Sequence, residues 1–294
     1  MKIVGTVEAL SQWRAAGPDD VGFVPTMGGL HEGHLALVAM ARARHPLVVA
    51  SVYVNPLQFG PQEDLGAYPR TEAADAKKLE EAGVDVLFFP SDAEIYPRGR
   101  AQQTRVCVPG LSEDLCGRYR PGHFEGVTTV VARLFGLVRP RAAYFGKKDY
   151  QQWRLVQRMV ADLGLGVEVV GRETVRAADG LAHSTRNQYL SPEARQKASG
   201  LYATLKTGAA LACSGMAPTE VEKTCHERLG YLGFVPDYVA VRRASDLAVP
   251  APEDQDLVIL AAARLETTRL IDNLELSRPL RADGGSLQSP PKPG

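Results

Sequence analysis

Pro25-Thr26-Met27-Gly28-Gly29-Leu30-His31-Glu32-Gly33-His34 places two imidazoles where an apolar strand hands over to a helix. Val21 to Val24 reads as the strand, and Leu35, Leu37, Val38, Met40 and Ala41 then recur at helical spacing, so His34 falls in the first helical turn. Unpaired N–H groups and the positive end of the helix dipole gather there, a natural seat for a nucleotide phosphate. His31 and His34 stand three apart, so both rings can face one ligand, and Gly33 removes a side chain where a base or phosphate must come close. Zinc is the rival reading. Metal-binding helices usually carry histidines at i and i+4 with a third ligand further on, whereas the spacing here is i, i+3 with a glycine between. Phosphate is the better fit.

Working outward, the chain of 294 residues is long enough for two domains of unequal size. Its 34 basic and 34 acidic residues cancel, so no global field draws it to nucleic acid or an anionic membrane. A small-molecule substrate is the default. Nowhere do about 18 apolar residues run together, and Met1 to Leu10 holds no sustained apolar core, so the expected location is the cytoplasm. The cysteines 107, 116, 213 and 225 include no C-x-x-C pair and are too few for a disulfide framework.

From residue 1 to 174 apolar strands alternate with amphipathic helices, as a parallel sheet of βαβ units requires. The expected strands are 22–24, 47–54, 84–89, 142–145 and 166–170, and the expected helices 33–44, 71–82, 124–137 and 150–163. This is an α/β pattern, a Rossmann-type doubly wound parallel sheet. Residues 175–280 change to two helices, 192–213 and 218–229, then strands near 237–241, 257–263 and 268–275, a smaller α+β domain. The Gly-, Ser- and Pro-rich tail, 281–294, lacks apolar material and is expected to be disordered.

Ligands of open α/β sheets bind beyond the strands' carboxyl ends, and polar motifs collect there. Asn55 and Gln58 sit at the mouth of an apolar strand; amides both donate and accept, which suits a ligand with hydroxyls beside a carboxylate, although loop capping would also explain Asn55. The polar loop 59–70 is long enough to fold over a ligand. Gly146-Lys147-Lys148-Asp149 joins a strand to a helix; capping explains Asp149, but two lysines at a helix N-terminus oppose the dipole and want an anion. Gln152 lies one turn beyond Lys148 on the same face. Ser184-Thr185-Arg186-Asn187 supplies hydroxyls and a guanidinium, a clamp for phosphate oxygens at the junction between the domains.

Taken in order, these segments resemble the pantoate–β-alanine ligases of the H-x-G-H nucleotidyltransferase superfamily, over nearly the whole chain. The residues that carry the resemblance are Pro25 to Gly28 with His31 to His34, Val54-Asn55-Pro56-Leu57-Gln58-Phe59, Tyr68-Pro69-Arg70, Arg120-Pro121-Gly122-His123-Phe124, Phe145 to Gln152, and Ser184 to Asn187. The resemblance implies that His31, His34, Lys148, Ser184, Thr185 and Arg186 meet the ATP phosphates, with His31, His34, Lys148 and Arg186 as the catalytic set. It implies that Gly146, Asp149 and Val175 hold the ribose and adenine, and that Gln58, Gln152 and Met27 hold pantoate. Asn55, Tyr68, Arg120 and His123 become further polar members of the site. ATP enters with Mg2+ held through its phosphates, and the assembly implied is a homodimer. One departure stands out: the family commonly has Met-Ser-Ser-Arg-Asn where this chain has His183-Ser184-Thr185-Arg186-Asn187, so Thr185 keeps a hydroxyl and His183 adds a titratable ring.

The reaction implied has two steps: pantoate attacks the α-phosphorus of ATP and expels pyrophosphate, and β-alanine then attacks the acyl-adenylate and releases AMP. A carboxylate is ionised at neutral pH, so the first step needs positioning and cations rather than a general base. No serine or cysteine stands in a nucleophile elbow. A relative that couples a phosphate-bearing substrate would carry further basic residues in place of Asn55, Gln58 and Gln152, and a tRNA ligase would need a basic RNA-binding face. A regulatory protein that keeps the fold without the chemistry would have no need of the histidines, lysine and arginine together.

Overall fold

The computed structural model describes residues 1–17 and 19–278, so the expectation of disorder for 281–294 lies outside the described residues. The larger sheet is built from β1 (Lys2–Val4), β2 (Val21–Thr26), β3 (Leu47–Val52), β4 (Val86–Phe88), β5 (Ala142–Gly146) and β6 (Glu168–Arg172). Its helices are α1 (Val7–Ala16), α2 (Glu32–Arg44), α3 (Glu72–Glu81), α4 (Asp92–Ile95), α5 (Cys116–Tyr119), α6 (His123–Val138) and α7 (Tyr150–Leu163). The smaller unit follows as α8 (Pro192–Ala198), α9 (Gly200–Cys213), α10 (Pro218–Tyr231), β7 (Val235–Arg243), β8 (Asp256–Leu265) and β9 (Thr268–Ser277).

All pairings in the larger sheet are parallel, in the order β1-β4-β3-β2-β5-β6. Successive residues of a strand face opposite sides, and the core divides accordingly. Phe23 and Val49 pack on one face with Val130, Phe135 and Leu155, while Val24, Val48 and Ala50 pack on the other with Val38, Ala41 and Leu79. Both faces are covered, which is why these strands read as unbroken apolar runs rather than alternating ones. Each valine, leucine and phenylalanine among them contributes about 1.5–3 kcal/mol by leaving water.

Chain order reverses between β2 and β5: β3 and β4 lie to one side of β2, β5 and β6 to the other. The helices that follow β2 and β5 therefore cross to opposite faces, and a crevice opens between the two strand ends. His31 and His34 leave β2 there, and Lys148 leaves β5.

The smaller unit is an antiparallel sheet, β7-β8-β9, with α9 and α10 against it over a second core of Leu205, Val221, Leu229, Val241 and Ile259. The differences from the sequence reading are local. The expected helix 192–213 is two helices meeting at Ser199, which closes α8 and opens α9. β1 and α1, absent from the reading, pair with β4 and pack against α6.

Candidate active site

The residues to which the resemblance gives a part in the site, from Met27 to Arg186, line one cleft at the carboxyl ends of β2 and β5, with a cavity volume of about 220 Å³. His31 is the N-cap of α2, and its Nδ1 accepts the Gly33 N–H at 3.1 Å. His34 Nδ1 accepts the His31 N–H at 3.3 Å, completing a reciprocal cap. With both Nδ1 atoms accepting, the proton of each neutral ring belongs on Nε2. Burial, helped by neighbouring His34, Lys148 and His183, pushes His31 down to about 3. Burial and the cations Lys148 and Lys78 push His34 down to about 4. At neutral pH the pair offers two uncharged N–H donors, their rings 4.1 Å apart. The His183 ring stacks at 6.0 Å on His31, so the departure from the family pattern adds a third imidazole to the cleft wall.

The two lysines have separate fates. Lys147 is neutralised by Glu173 and Glu275, each at 2.6 Å, so it does not supply the unsatisfied charge that the pair suggested from sequence. Among the described residues the one carboxylate paired with Lys148 is that of Asp149, at 3.8 Å, beyond hydrogen-bond reach, and Lys148 lines the cleft. Asp149 occupies the N-cap position of α7 but makes no side-chain cap bond, so capping does not account for it. Asp149 also lines the cleft. Gln152 and Val175 complete this wall, beside Gly146 at the end of β5.

Several expected site residues spend polar groups on neighbouring protein. Asn55 is almost fully buried; its amide donates to Gln58 Oε1 and Gly126 O, and its oxygen accepts from Tyr96 and the Leu57 N–H. The capping reading of Asn55 therefore holds, and its service to the site is to orient Gln58. Gln58 Nε2 in turn points at Met27 Sδ, 3.0 Å away. His123 donates from Nδ1 to Gln58 O at 2.7 Å and accepts from Arg120 at Nε2, while Arg120 grips Glu63. Thr185 Oγ1 donates to Gly29 O at 3.0 Å, and Tyr68 lies beside it, buried against Phe59. Ser184 Oγ accepts the Arg186 N–H, which leaves its own proton for a ligand.

Three residues outside the sequence reading shape the cleft. Buried Asp75 accepts the Gly29 and Leu30 N–H groups, each at 2.9 Å, and so sets the turn that leads to His31. An aspartate four residues before Leu79 on the inner stripe of α3 was the available signal. Asp64 holds Arg186 through Nε and Nη2 at 2.9 and 2.8 Å, so among the described residues Nη1 is left without a protein acceptor. Glu63 does the like for Arg120.

His31, His34 and His123 all sit below the 6.5 of a free imidazole, the last pushed down to about 3 by burial and by Arg120. The folded state thus resists protonating them. Their stabilising contribution is whole above pH 6.5 and is lost as pH falls toward 4, by about 1.4 kcal/mol per ring and pH unit. Calorimetry at pH 7 and pH 5 is expected to show a clearly lower unfolding midpoint at pH 5, with a shallower dependence in His123→Gln; an unchanged midpoint would contradict neutral buried rings.

The profile of the Pantoate-beta-alanine ligase family matches residues 2–275. The pantothenate synthetase of Shewanella loihica is 52% identical over 267 residues, 91% of this chain and 94% of that protein. The chain belongs to the pantoate–β-alanine ligase family. Pantothenate synthetase from Thermus thermophilus superposes on this ligase with a TM-score of 0.87 at 52% identity, covering 93% of this chain and 99% of that one. The Francisella tularensis pantoate–β-alanine ligase, complexed with beta-gamma ATP and beta-alanine, gives a TM-score of 0.79 at 30% identity over 93% and 97% of the two chains. Among the described residues of this ligase, no group of three or more His, Cys, Asp or Glu is arranged to hold a metal ion, and no helix is long and apolar enough to cross a membrane.

Proposed function

We propose that this ligase condenses pantoate with β-alanine to pantothenate, coupled to cleavage of ATP to AMP and pyrophosphate. The observation that carries the reading is the meeting of Lys148, whose ammonium has no carboxylate within hydrogen-bond distance among the described residues, with the neutral N–H donors of His31 and His34 at the reversal point of the sheet. Family membership and the ligands of the Francisella tularensis relative support the same substrates.

ATP lies with its phosphates on His31, His34, Lys148, Ser184 and the free Nη1 of Arg186, with Thr185 holding that wall in place through Gly29. Asp149, Gly146 and the backbone of Val175 take the ribose and adenine. Pantoate sits toward Gln58, Gln152 and Met27, where amide donors and acceptors match its hydroxyls and carboxylate. Mg2+ enters with the nucleotide as part of the substrate. A pantoate carboxylate oxygen attacks the α-phosphorus, the bond from that phosphorus to the β-phosphate oxygen breaks, and pyrophosphate leaves. Lys148 and Arg186 stand where the leaving charge accumulates, and neutral imidazoles add hydrogen bonds without competing for a proton. The free amine of β-alanine then attacks the acyl carbon, the carbon–oxygen bond to AMP breaks, and the nitrogen gives up a proton to solvent as the amide forms and AMP leaves.

The mixed anhydride must be kept from water. Loop 59–70 is tied to the cleft by its Glu63 and Asp64, paired with the lining residues Arg120 and Arg186, which supports its role as a lid. The end of the larger sheet at Arg172 supports a domain boundary near 174. Family membership supports a cytoplasmic homodimer. Exchange of labelled pyrophosphate into ATP tests the reading: it is expected to require pantoate and to proceed without β-alanine, and exchange that demands β-alanine would overturn it.

A further inference from the structure

Strand β9 of the smaller unit reaches across to the turn that carries Lys148. Asn273 is buried, and its Nδ2 donates to both Lys147 O at 2.8 Å and Lys148 O at 2.9 Å. The backbone N–H of Asn273 donates to Asp272 Oδ1 at 2.8 Å, and Asp272 is anchored by Arg176 from the connection between the two units. Glu275 lies on the same face of β9 as Asn273 and accepts from Lys147 Nζ at 2.6 Å and the Tyr150 hydroxyl at 2.8 Å. The turn from Lys147 to Asp149 is a single turn of 3₁₀ helix, which has little rigidity of its own. An amide with two N–H donors matches two adjacent carbonyls, so Asn273 is chemically suited to fix this turn.

We propose that Asn273 is a positioning residue for Lys148. By holding the carbonyls of residues 147 and 148 it sets where the Lys148 ammonium meets the nucleotide, and it makes β9 part of the active site although the Asn273 side chain spends its donors on protein. The inference rests on the assignment of Lys148 to the ATP phosphates above. It predicts a specific pattern, because a misplacement of about 1 Å in a charged group can cost on the order of 100-fold in rate while leaving a separate substrate pocket intact.

The test replaces Asn273 by Ala in two backgrounds, with Lys148 present and with Lys148→Ala, and measures pantoate-dependent pyrophosphate exchange, ATP binding by equilibrium dialysis and thermal unfolding. With Lys148 present, Asn273→Ala is expected to lower kcat of exchange by about 10- to 100-fold. The pantoate KM is expected to shift by less than about twofold. ATP Kd is expected to rise about tenfold beside Lys148 and by less than about twofold in Lys148→Ala, the non-additivity of residues acting as a unit. An unchanged kcat, an equal rise of ATP Kd in both backgrounds, or a pantoate KM that climbs as kcat falls overturns the proposal. Asn273→Asp keeps the size, removes the donors and carries the same expectations where the alanine variant does not fold. If the parent enzyme binds ATP but shows no pantoate-dependent exchange, the proposed reaction fails, and the ATP-binding cycle still judges Asn273.

Discussion

Lys148→Ala is expected to lower pantoate-dependent pyrophosphate exchange by about 10²- to 10³-fold, the range found when a single preorganised charge or donor is removed from a developing anion. The basis is contrast. Lys147 is held by two carboxylates at 2.6 Å, whereas the nearest carboxylate to Lys148 stands at 3.8 Å. A cation placed at a helix N-terminus and left largely uncompensated is electrostatically costly until an anion arrives. Removing it should therefore leave folding stability intact or slightly raise it, and this distinguishes the account from a structural role. Lys147→Ala should cost far less exchange while loosening the contact with β9. Comparable losses from both variants, or a collapse of the unfolding midpoint in Lys148→Ala, would contradict the assignment.

The second large effect concerns stability. Asp272 is 2% exposed and accepts from Arg176 at 2.6 and 2.9 Å, while the Arg176 guanidinium lies 3.5 Å over the Tyr202 ring. Asp272→Ala is expected to lower the unfolding free energy by about 3–5 kcal/mol, since it strands a largely buried guanidinium without its counter-charge. Burial nonetheless holds the Asp272 carboxyl above the usual carboxylate range despite Arg176, so desolvation outweighs the pairing. It follows that removing both charges costs less than removing one. Asp272→Leu combined with Arg176→Met is expected to recover most of the loss by denaturant unfolding; a double variant as unstable as the sum of its parts would show that the pair contributes net stability.

The parallel sheet was legible because both faces are covered, which leaves continuous apolar runs at Val21–Thr26, Leu47–Val52 and Ala142–Gly146. β1 was not, for three residues give no period to read. The site was legible as a set of loops because strand ends attract chemistry, and the residues from His31 to Arg186 do converge. Their division of labour was not. Whether Arg120 meets a ligand or braces Gln58 through His123 depends on contacts 57 to 65 positions apart, and the hold of Asn273 on Lys148 spans 125. Such polar pairings leave no periodicity in a sequence. Lys147 and Lys148 look alike as neighbours, and only the position of Glu173 and Glu275 separates them.

The central claim is that this cleft activates a carboxylate at the α-phosphorus of ATP. Pantoate labelled with ¹⁸O in its carboxylate, turned over with ATP and β-alanine, tests it in one measurement. The expected result is one labelled oxygen in each AMP and none in pyrophosphate. Label in pyrophosphate or inorganic phosphate, or AMP without label, would contradict it.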